Sequence, residues 1–282
     1  MEVIKTISQL RDIIKEWKRN GYTIGFVPTM GYLHEGHESL IKKSVEENHK
    51  TVVSVFVNPT QFGPTEDLDK YPRNMERDKE LCLRNNVDII FNPEVEEMYN
   101  KDFSTVINMN NLTKELCGKS RPTHFSGVCI VVTKLFNIVN ADRAYFGEKD
   151  AQQLAIIKRL VRDLNIDIEI IGCPIIREED GLAKSSRNSY LSKEERAAAL
   201  ILNKALTIAK ENLTQGERNT DNIKEIIRAV ISSENLAKID YIEVVDSISL
   251  EKVDYIEQDI LVAIAVYIGK TRLIDNFTYK IN

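Results

Sequence analysis

The amino-acid sequence predicts an α/β protein in which a doubly wound parallel sheet is followed by a smaller C-terminal α+β domain. In the first part of the chain, apolar runs typical of buried parallel strands alternate with segments of helical spacing. These runs are Thr23–Val27, Thr51–Val57 and Val87–Phe91. After Ser192 the strand-like runs are no longer separated by helices of crossover length, which is typical of an antiparallel sheet. We therefore expect one domain at residues 1–187 and a second at residues 188–282.

The other elements of the first domain follow from capping residues and apolar spacing. Ser8 is expected to cap a first helix that Gly21 ends. The first strand is expected to end at Pro28, and the next helix to begin near His37. The remaining predicted elements are a helix at Asn74–Asn85, a core helix at Phe125–Val139, a strand at Arg143–Phe146, a helix that GEKDAQQ opens and that reaches about Leu164, and a strand at Ile168–Ile176.

The second domain is predicted to begin with two helices. Ser192 and Glu195 have the spacing of a capping box, which would open one long helix to about Asn212. Gly216 breaks this pattern before a second helix at about Asn222–Ser232. The predicted strands of the antiparallel sheet are Ile239–Val245, Leu261–Ile268 and Leu273–Tyr279.

Composition excludes several classes of protein. The net charge of −5 over 282 residues leaves no basic footprint for nucleic acid, and no apolar run is long enough to span a membrane. The first residues lack the pattern of a secretory signal peptide. The cysteines lie far apart without CxxC spacing, which is typical of reduced thiols. We therefore expect a cytoplasmic protein with small-molecule ligands.

The stretch PTMGYLHEGH is the strongest indication of a binding site. A buried strand, a turn with Gly31 and Gly36, and then a helix form a known way to bind phosphate, since backbone N–H groups at a helix start lack partners within the helix. His34 and His37 add imidazole N–H donors. Two other interpretations stay open for the stretch alone. One is a zinc-binding histidine pair, although Gly36 between the two histidines argues against a rigid helical pair. The other is a structural turn with surface histidines.

Four further stretches offer groups that suit a site for a nucleotide and a small substrate. Lys149, in GEKDAQQ, follows a strand at a predicted helix start and suits a phosphate, whereas most lysines are simply solvated. The loop AKSSRN offers cations and hydroxyls at residues 184–187, as a clamp on a triphosphate or as a polar linker. Gln61, in NPTQFGP, suits a small hydroxylated substrate or forms part of a turn. Because NPTQFGP and PTMGYLHEGH both follow strands, we expect them to line one crevice. Arg121 and His124, in KSRPTHFSG, would support that crevice or serve structure alone.

Taken together, these stretches resemble a known family of ligases. HEGH resembles the HxGH signature of the nucleotidyltransferase superfamily, and AKSSRN resembles its second phosphate loop. The ordered set resembles the pantoate–β-alanine ligase (pantothenate synthetase) family from about residue 20 to 276. The set consists of PTMGYLHEGH, FVNPTQFGP, KSRPTHFSG, FGEKDAQQL, DGLAKSSRN and RLIDN.

The resemblance implies a two-step reaction. ATP would adenylate the carboxylate of (R)-pantoate and release pyrophosphate. The amine of β-alanine would then attack the pantoyl adenylate and give pantothenate and AMP. The resemblance also implies a Rossmann-like first domain, a C-terminal lid, a homodimer and Mg²⁺ on the triphosphate, with no metal site made of protein side chains alone. Asp78 and Glu76 are interpreted as surface charges of a helix, with outer Mg²⁺ ligands as the alternative.

The resemblance also assigns roles to individual residues. His37 would be a proton donor, and His34 and Lys149 would be catalytic with it. Gln61 and Gln153 would bind pantoate. Gln61 would also lie near β-alanine. The residues implied for ATP are Met30, Gly31, Tyr32, Leu33, His34, Glu35, Gly36, His37, Gly147, Glu148, Lys149, Asp150, Ile176, Lys184, Ser185, Ser186 and Arg187. The sequence departs from the family at Ala151, where an aromatic residue is common, and at Lys184, where an apolar one is common.

Two other functions fit parts of this pattern. A different small nucleotidyltransferase, acting on a phosphorylated metabolite, would share the HxGH turn but would have no use for Gln61 and Gln153. A non-catalytic regulator on the same fold would bind ATP without turnover. The joint presence of both phosphate loops and the two amides favours the ligase.

Overall fold

The computed structural model of the protein describes residues 1–64 and 66–281 and divides into two compact units. The first unit consists of Met1–Met109, Arg121–Glu148 and Gln153–Pro174. The second consists of Asn110–Ser120, Lys149–Gln152 and Ile175–Asn282. The domain boundary expected near Arg187 stays a prediction. Within the described ranges, no helix is long and apolar enough to cross a membrane.

The first unit contains the predicted parallel sheet, which has six strands among the described residues. They are β1 (Glu2–Ile4), β2 (Ile24–Thr29), β3 (Lys50–Val55), β4 (Ile89–Phe91), β5 (Arg143–Gly147) and β6 (Glu169–Cys173), in the order β1-β4-β3-β2-β5-β6. All neighbouring pairs run parallel. The order reverses beside β2, with β3 on one side and β5 on the other, so the sheet is doubly wound and Rossmann-like, as predicted. In such sheets ligands bind beyond the carboxyl ends of the strands at this switch point.

The helices follow the predicted alternation with the strands. They are α1 (Ile7–Arg19), α2 (Glu35–Glu47), α3 (Met75–Arg84), α4 (Val95–Met98), α5 (Leu116–Ser120), α6 (His124–Val139), α7 (Ala151–Asp163), α8 (Lys193–Ala198), α9 (Leu200–Thr214) and α10 (Thr220–Ile231). Short 3₁₀ turns lie at Pro59–Gln61, Glu148–Asp150 and Ser186–Tyr190.

The core of the first unit explains why its apolar runs are continuous. Val27 of β2, Val53 of β3 and Ile90 of β4 are fully buried in one cluster with Ile41 of α2. On the other side of the sheet, the ring of Phe26 meets that of Phe136 of α6 edge-on, with 6.5 Å between their centres. Strands covered on both faces bury every side chain, so apolar residues follow one another without alternation.

The second unit contains the predicted antiparallel sheet. In the described part of the chain it has three strands, β7 (Ala237–Asp246), β8 (Ile260–Ile268) and β9 (Thr271–Tyr279), with β8 in the centre. Its core joins these strands to α9 and α10 through side chains such as Leu206, Ile227 and Ile264. The smaller α+β domain predicted for the C-terminal part of the chain is therefore confirmed.

Several predicted boundaries are wrong for identifiable reasons. Thr6, rather than Ser8, caps α1, with its side chain accepting a hydrogen bond from the backbone N–H of Gln9. Strand β2 continues through Pro28 to Thr29. Its pairing with β5 covers only Gly25 and Phe26, so at Pro28 the strand pairs with β3 alone and a missing N–H is tolerated.

Two further differences concern elements with weak local signals. The long helix predicted after Ser192 is two helices that meet at the fully buried Ala199, although the Ser192–Glu195 capping box is present as predicted. Strand β1 has only three residues and pairs with β4 at the edge of the sheet, and no pattern in the sequence predicts it.

Candidate active site

The turn after β2 brings the two histidines of HEGH to the start of a helix. Gly31 and Tyr32 both have left-handed backbone conformations, with φ of 83° and 52°. Helix α2 then begins at Glu35, two residues before the predicted start, with His34 as its N-cap. A Cβ atom at Gly31 would lie 2.8 Å from Cγ1 of Val55, so glycine is required by space as well as by conformation.

His34 and His37 cap the helix reciprocally. The backbone N–H of Gly36 donates to Nδ1 of His34 at 3.1 Å, and the backbone N–H of His34 donates to Nδ1 of His37 at 3.3 Å. The ring centres are 4.1 Å apart. Because each Nδ1 accepts a hydrogen bond, each neutral imidazole carries its proton on Nε2. The turn thus presents two oriented N–H donors at a helix N-terminus, which suits the oxygens of a phosphate.

Asp78 of α3 fixes this turn, and sequence reasoning missed that role. Its Oδ2 accepts the backbone N–H of Tyr32 at 2.9 Å, and its Oδ1 accepts that of Leu33 at 2.7 Å. The interpretation of Asp78 as a surface charge is wrong, because the residue is 1% exposed. Burial raises its pKa, and the two backbone N–H bonds offset only part of that rise. The spacing of Asp78 to Leu81 and Cys82, three and four residues later, was the available signal for a buried position.

Gln61 lies against the turn, so the two loops that were expected to share a crevice are in contact. Its side-chain Nε2 is 3.1 Å from Sδ of Met30, and Asn58 donates through Nδ2 to its Oε1 at 3.0 Å. Asn58 is 1% exposed and also accepts the hydroxyl of Tyr99 at 2.8 Å. Asn58 was not predicted, although its position three residues after strand β3 was a signal.

The KSRPTHFSG stretch holds the backbone of Gln61. Nδ1 of His124 lies 2.9 Å from the carbonyl oxygen of Gln61, and Arg121 donates to the same oxygen at 3.5 Å. Arg121 also forms a bidentate ion pair with Glu66. Burial raises the pKa of Glu66, but the hydrogen bond and charge of Arg121 outweigh it and leave the pKa below its usual value. Arg121 and His124 therefore support Gln61.

Other predicted residues of the first unit lie at the same edge of the sheet. Gly147 ends β5, which is the neighbour of β2, and Glu148 follows it. The carboxyl ends of parallel neighbours share one edge, so both lie on the side of the HEGH turn. Gln153 is half-buried in the first turn of α7.

In the second unit, Lys149 is held through its backbone. Asn276 of β9 donates through Nδ2 to the carbonyl oxygen of Lys149 at 2.7 Å. The Lys149 side chain is 18% exposed, and its Nζ lies 3.8 Å from a carboxylate oxygen of Asp150.

The AKSSRN loop is the return arm of a tight hairpin. The backbone N–H of Lys184 donates to the carbonyl oxygen of Ile176 at 2.9 Å, and Arg177 bridges to Ala183. Ser185 caps the turn at Ser186–Tyr190, with its hydroxyl accepting the backbone N–H of Arg187 at 3.3 Å. Ile176 and Lys184, both predicted ATP-binding residues, are therefore backbone partners.

The side chains that could act as metal ligands show how the predicted Mg²⁺ could be held. Among the residues that the structure describes, no group of three or more His, Cys, Asp or Glu side chains is arranged to hold a metal ion. Glu76 is paired with Lys79, and Asp78 is committed to the turn. Mg²⁺ is commonly held by substrate phosphates and waters with one or two carboxylates, so the residues present fit a cation that arrives on a nucleotide.

Comparison with known proteins gives one consistent result. The family model described as pantoate-beta-alanine ligase matches residues 2–278. A pantothenate synthetase of Enterococcus faecalis is 67% identical over 281 residues, covering 100% of both chains. One of Clostridioides difficile is 65% identical over 280 residues, covering 99% of each.

Solved structures agree with the sequence comparison. Pantothenate synthetase from Thermus thermophilus has a TM-score of 0.93 at 42% identity, covering 98% of this chain and 99% of that chain. A pantoate-beta-alanine ligase from Francisella tularensis, solved in complex with beta-gamma ATP and beta-alanine, has a TM-score of 0.80 at 36% identity, covering 98% and 97%.

Proposed function

This chain belongs to the pantoate–β-alanine ligase family, and we propose that it joins (R)-pantoate to β-alanine through a pantoyl adenylate, with release of pyrophosphate and AMP. The match of the family model across residues 2–278 carries this conclusion. The reciprocally capped histidines are the feature of the structure that supports it most directly.

The chemistry explains why ATP is consumed. In the first step a carboxylate oxygen of pantoate attacks the α-phosphorus, a P–O bond forms, and the bond to pyrophosphate breaks. In the second step the amine of β-alanine attacks the carbonyl carbon, a C–N bond forms, and AMP leaves with the electron pair of the C–O bond. Reactions of this kind depend mostly on positioning and on stabilising charge.

In this proposal Met30–His37 bind ATP, and His34 and His37 donate from Nε2 to its phosphates. The bonds at both Nδ1 atoms hold the rings in place before ATP arrives. Such preorganised donors stabilise charge without reorganisation during the reaction. His37 serves in addition as the proton donor, and Gly147 and Glu148 complete this part of the ATP site.

Gln61 and Gln153 bind pantoate in the same proposal, and Gln61 also lies near β-alanine. The carbonyl of Gln61 is held by His124 and Arg121, and its side-chain oxygen by Asn58. Its amide is therefore preorganised to recognise a small polar acid.

The cationic residues of the second unit stabilise the triphosphate in this proposal. Lys149 acts as a catalytic cation, with Asp150 beside it. Ile176 contacts the adenine, and residues 184–187 provide Lys184, Ser185, Ser186 and Arg187 to the phosphates and the leaving pyrophosphate. The C-terminal part of the chain, residues 188–282, acts as a lid.

An ATP-utilising ligase of this kind suggests a divalent metal, and we propose Mg²⁺, carried on the triphosphate. The cation would neutralise charge on the phosphate oxygens as pyrophosphate leaves. We further propose that the protein is cytoplasmic and acts as a homodimer.

Mass spectrometry of the products from ATP, pantoate and β-alanine tests the function. Pantothenate and AMP are the expected products, and pyrophosphate should exchange into ATP only when pantoate is present. Exchange that requires a phosphate ester instead would identify another nucleotidyltransferase, and ATP binding without turnover would identify a regulator.

A further inference from the structure

We propose that Asp275 and Asn276, neighbours on β9, are positioning residues that hold both ATP-binding segments of the second unit in place. Neither side chain is assigned to a substrate, and the inference rests on the proposed ATP roles of Lys149 and residues 184–187. The segments meet β9 at two consecutive residues, so one short piece of strand sets the distance between them.

Asn276 holds the segment that contains Lys149. Its Nδ2 donates to the carbonyl oxygen of Lys149 at 2.7 Å, across 127 positions of the sequence. Asn276 is only 6% exposed, which keeps water from competing for this bond. The bond fixes the backbone from which the Lys149 side chain extends.

A second buried amide holds the same segment three residues later. Gln152 donates through Nε2 to the carbonyl oxygens of Leu112 and Glu115, at 2.8 and 2.9 Å, and its Oε1 accepts the backbone N–H of Gly118 at 3.3 Å. The segment is thus held at Gln152, in the first turn of α7, and at Lys149, whose own carbonyl oxygen accepts the bond from Asn276.

Asp275 holds the hairpin that leads to Lys184. Its two carboxylate oxygens accept from Arg177 at 2.6 and 2.9 Å, and Asp275 is 2% exposed. Arg177 also donates to the carbonyl oxygen of Gly181 at 3.1 Å and bridges to Ala183. A bidentate pair of this kind restrains both distance and orientation, so the arm that carries Lys184 is anchored to β9.

The two anchors are themselves coupled. The backbone N–H of Asn276 donates to Oδ1 of Asp275 at 2.8 Å, so the carboxylate that holds Arg177 also holds the residue that binds Lys149. Small displacements of groups that act on a transition state cost large factors in rate. A change at Asn276 should therefore impair the ATP-dependent step without contact to ATP.

Asn276→Asp tests the proposal in the full-length protein, because it removes the Nδ2 donor and sets an oxygen against the carbonyl of Lys149. We expect kcat/KM for ATP in pantoate-dependent pyrophosphate exchange to fall roughly 10- to 100-fold. The reaction of supplied pantoyl adenylate with β-alanine, which needs no triphosphate, should change less than about threefold. Asp275→Asn should show the same split between the two half-reactions through the hairpin.

Asn212→Asp is the matched control, because Asn212 likewise donates through Nδ2 to a carbonyl oxygen, that of Ile208 at 2.9 Å, in the same unit. It should leave both half-reactions near wild type. If Asn276→Asp does not fold, Asn276→Ala removes the donor without adding charge. Equal losses in both half-reactions, or no loss beyond that of Asn212→Asp, would overturn the positioning role.

Calorimetry of ATP binding separates this inference from the proposed function. A wild-type protein that binds ATP but makes no pantothenate would contradict the function alone, and weaker ATP binding by Asn276→Asp would still support the positioning role. Unchanged ATP affinity together with unchanged pyrophosphate exchange in that variant would refute it.

Discussion

The HEGH turn of the first unit and the cationic segments of the second are held by different kinds of contact. The two histidines are positioned by hydrogen bonds to residues two and three positions away. Lys149 and the hairpin before Lys184 are positioned by β9, through contacts that span 127 and 98 positions. The turn is thus built largely from its own sequence, whereas the cations depend on a distant strand. The turn is not entirely local, since Asp78 reaches it from 45 positions away.

The largest effect should come from removing a donor of the turn itself. In His37→Ala the Nε2 donor is lost together with the acceptor for the backbone N–H of His34. Loss of one preorganised donor reduces kcat roughly 100- to 1000-fold. We expect a loss of this size in pantoate-dependent pyrophosphate exchange.

His49→Ala is the control for that prediction, because His49 lies in the loop after α2 and bonds Thr23 rather than the turn. It should keep exchange near the wild-type rate. Equal activity of the two variants would show that the local capping has no part in the reaction.

An intermediate effect should come from Asp78, which contacts the turn from a distant position in the sequence. Asp78→Asn keeps one side-chain oxygen as an acceptor and replaces the other by an NH₂ group. In the variant this NH₂ group points at a backbone N–H that the carboxylate accepts in the wild type. Since burial raises the pKa of Asp78, loss of the charge offsets part of the lost hydrogen bonding. We therefore expect the KM for ATP to rise roughly 10-fold, with a smaller change in the melting temperature.

Steady-state kinetics and thermal unfolding measure both parts of this prediction. Asp12→Asn, at an exposed position of α1, controls for the loss of a charge and should change neither quantity. A KM unchanged in Asp78→Asn would mean that the turn keeps its shape without the carboxylate.

The smallest effect should come from a single cation on the hairpin. Lys184 is partly exposed. A partly exposed charge contributes about 1 kcal/mol, so Lys184→Met should weaken ATP binding roughly fivefold. Calorimetry should show this loss, whereas Lys193→Met at the exposed start of α8 should bind ATP like the wild type. An ATP affinity that Lys184→Met leaves unchanged would remove the idea that this cation acts on the triphosphate.

The elements that were predicted correctly have strong local signals. Continuous apolar runs indicated β2, β3 and β4, and Ser192 with Glu195 indicated the start of α8. The break at Ala199 could not be predicted, because alanine is the best helix former and the break lies where two helices meet in the core. Serine is a somewhat better cap than threonine by residue type, and only the folded chain selects Thr6 over Ser8.

The residues of the candidate site likewise differ in whether local sequence signals indicate them. His34, His37 and Gln61 were predicted from short motifs after strands, and the structure brings the turn and Gln61 into contact. Asn58 and Asp78 were missed, because their functions consist of contacts to residues that have no fixed spacing from them in the sequence. In the sequence they also resemble ordinary polar residues of a strand end and a helix.

The sequence by itself determined the order of strands and helices along the chain, the two sheet types and the groups that are proposed to bind a nucleotide. It did so because hydrophobic period, capping and phosphate-binding turns depend on residues within a few positions of one another. Only the tertiary structure decided which buried groups hold those residues in place, among them Asp78 for the turn and Asn276 for Lys149. A single hydrogen bond between distant residues leaves no periodic trace in the chain, so it becomes visible only when folding brings its two ends together.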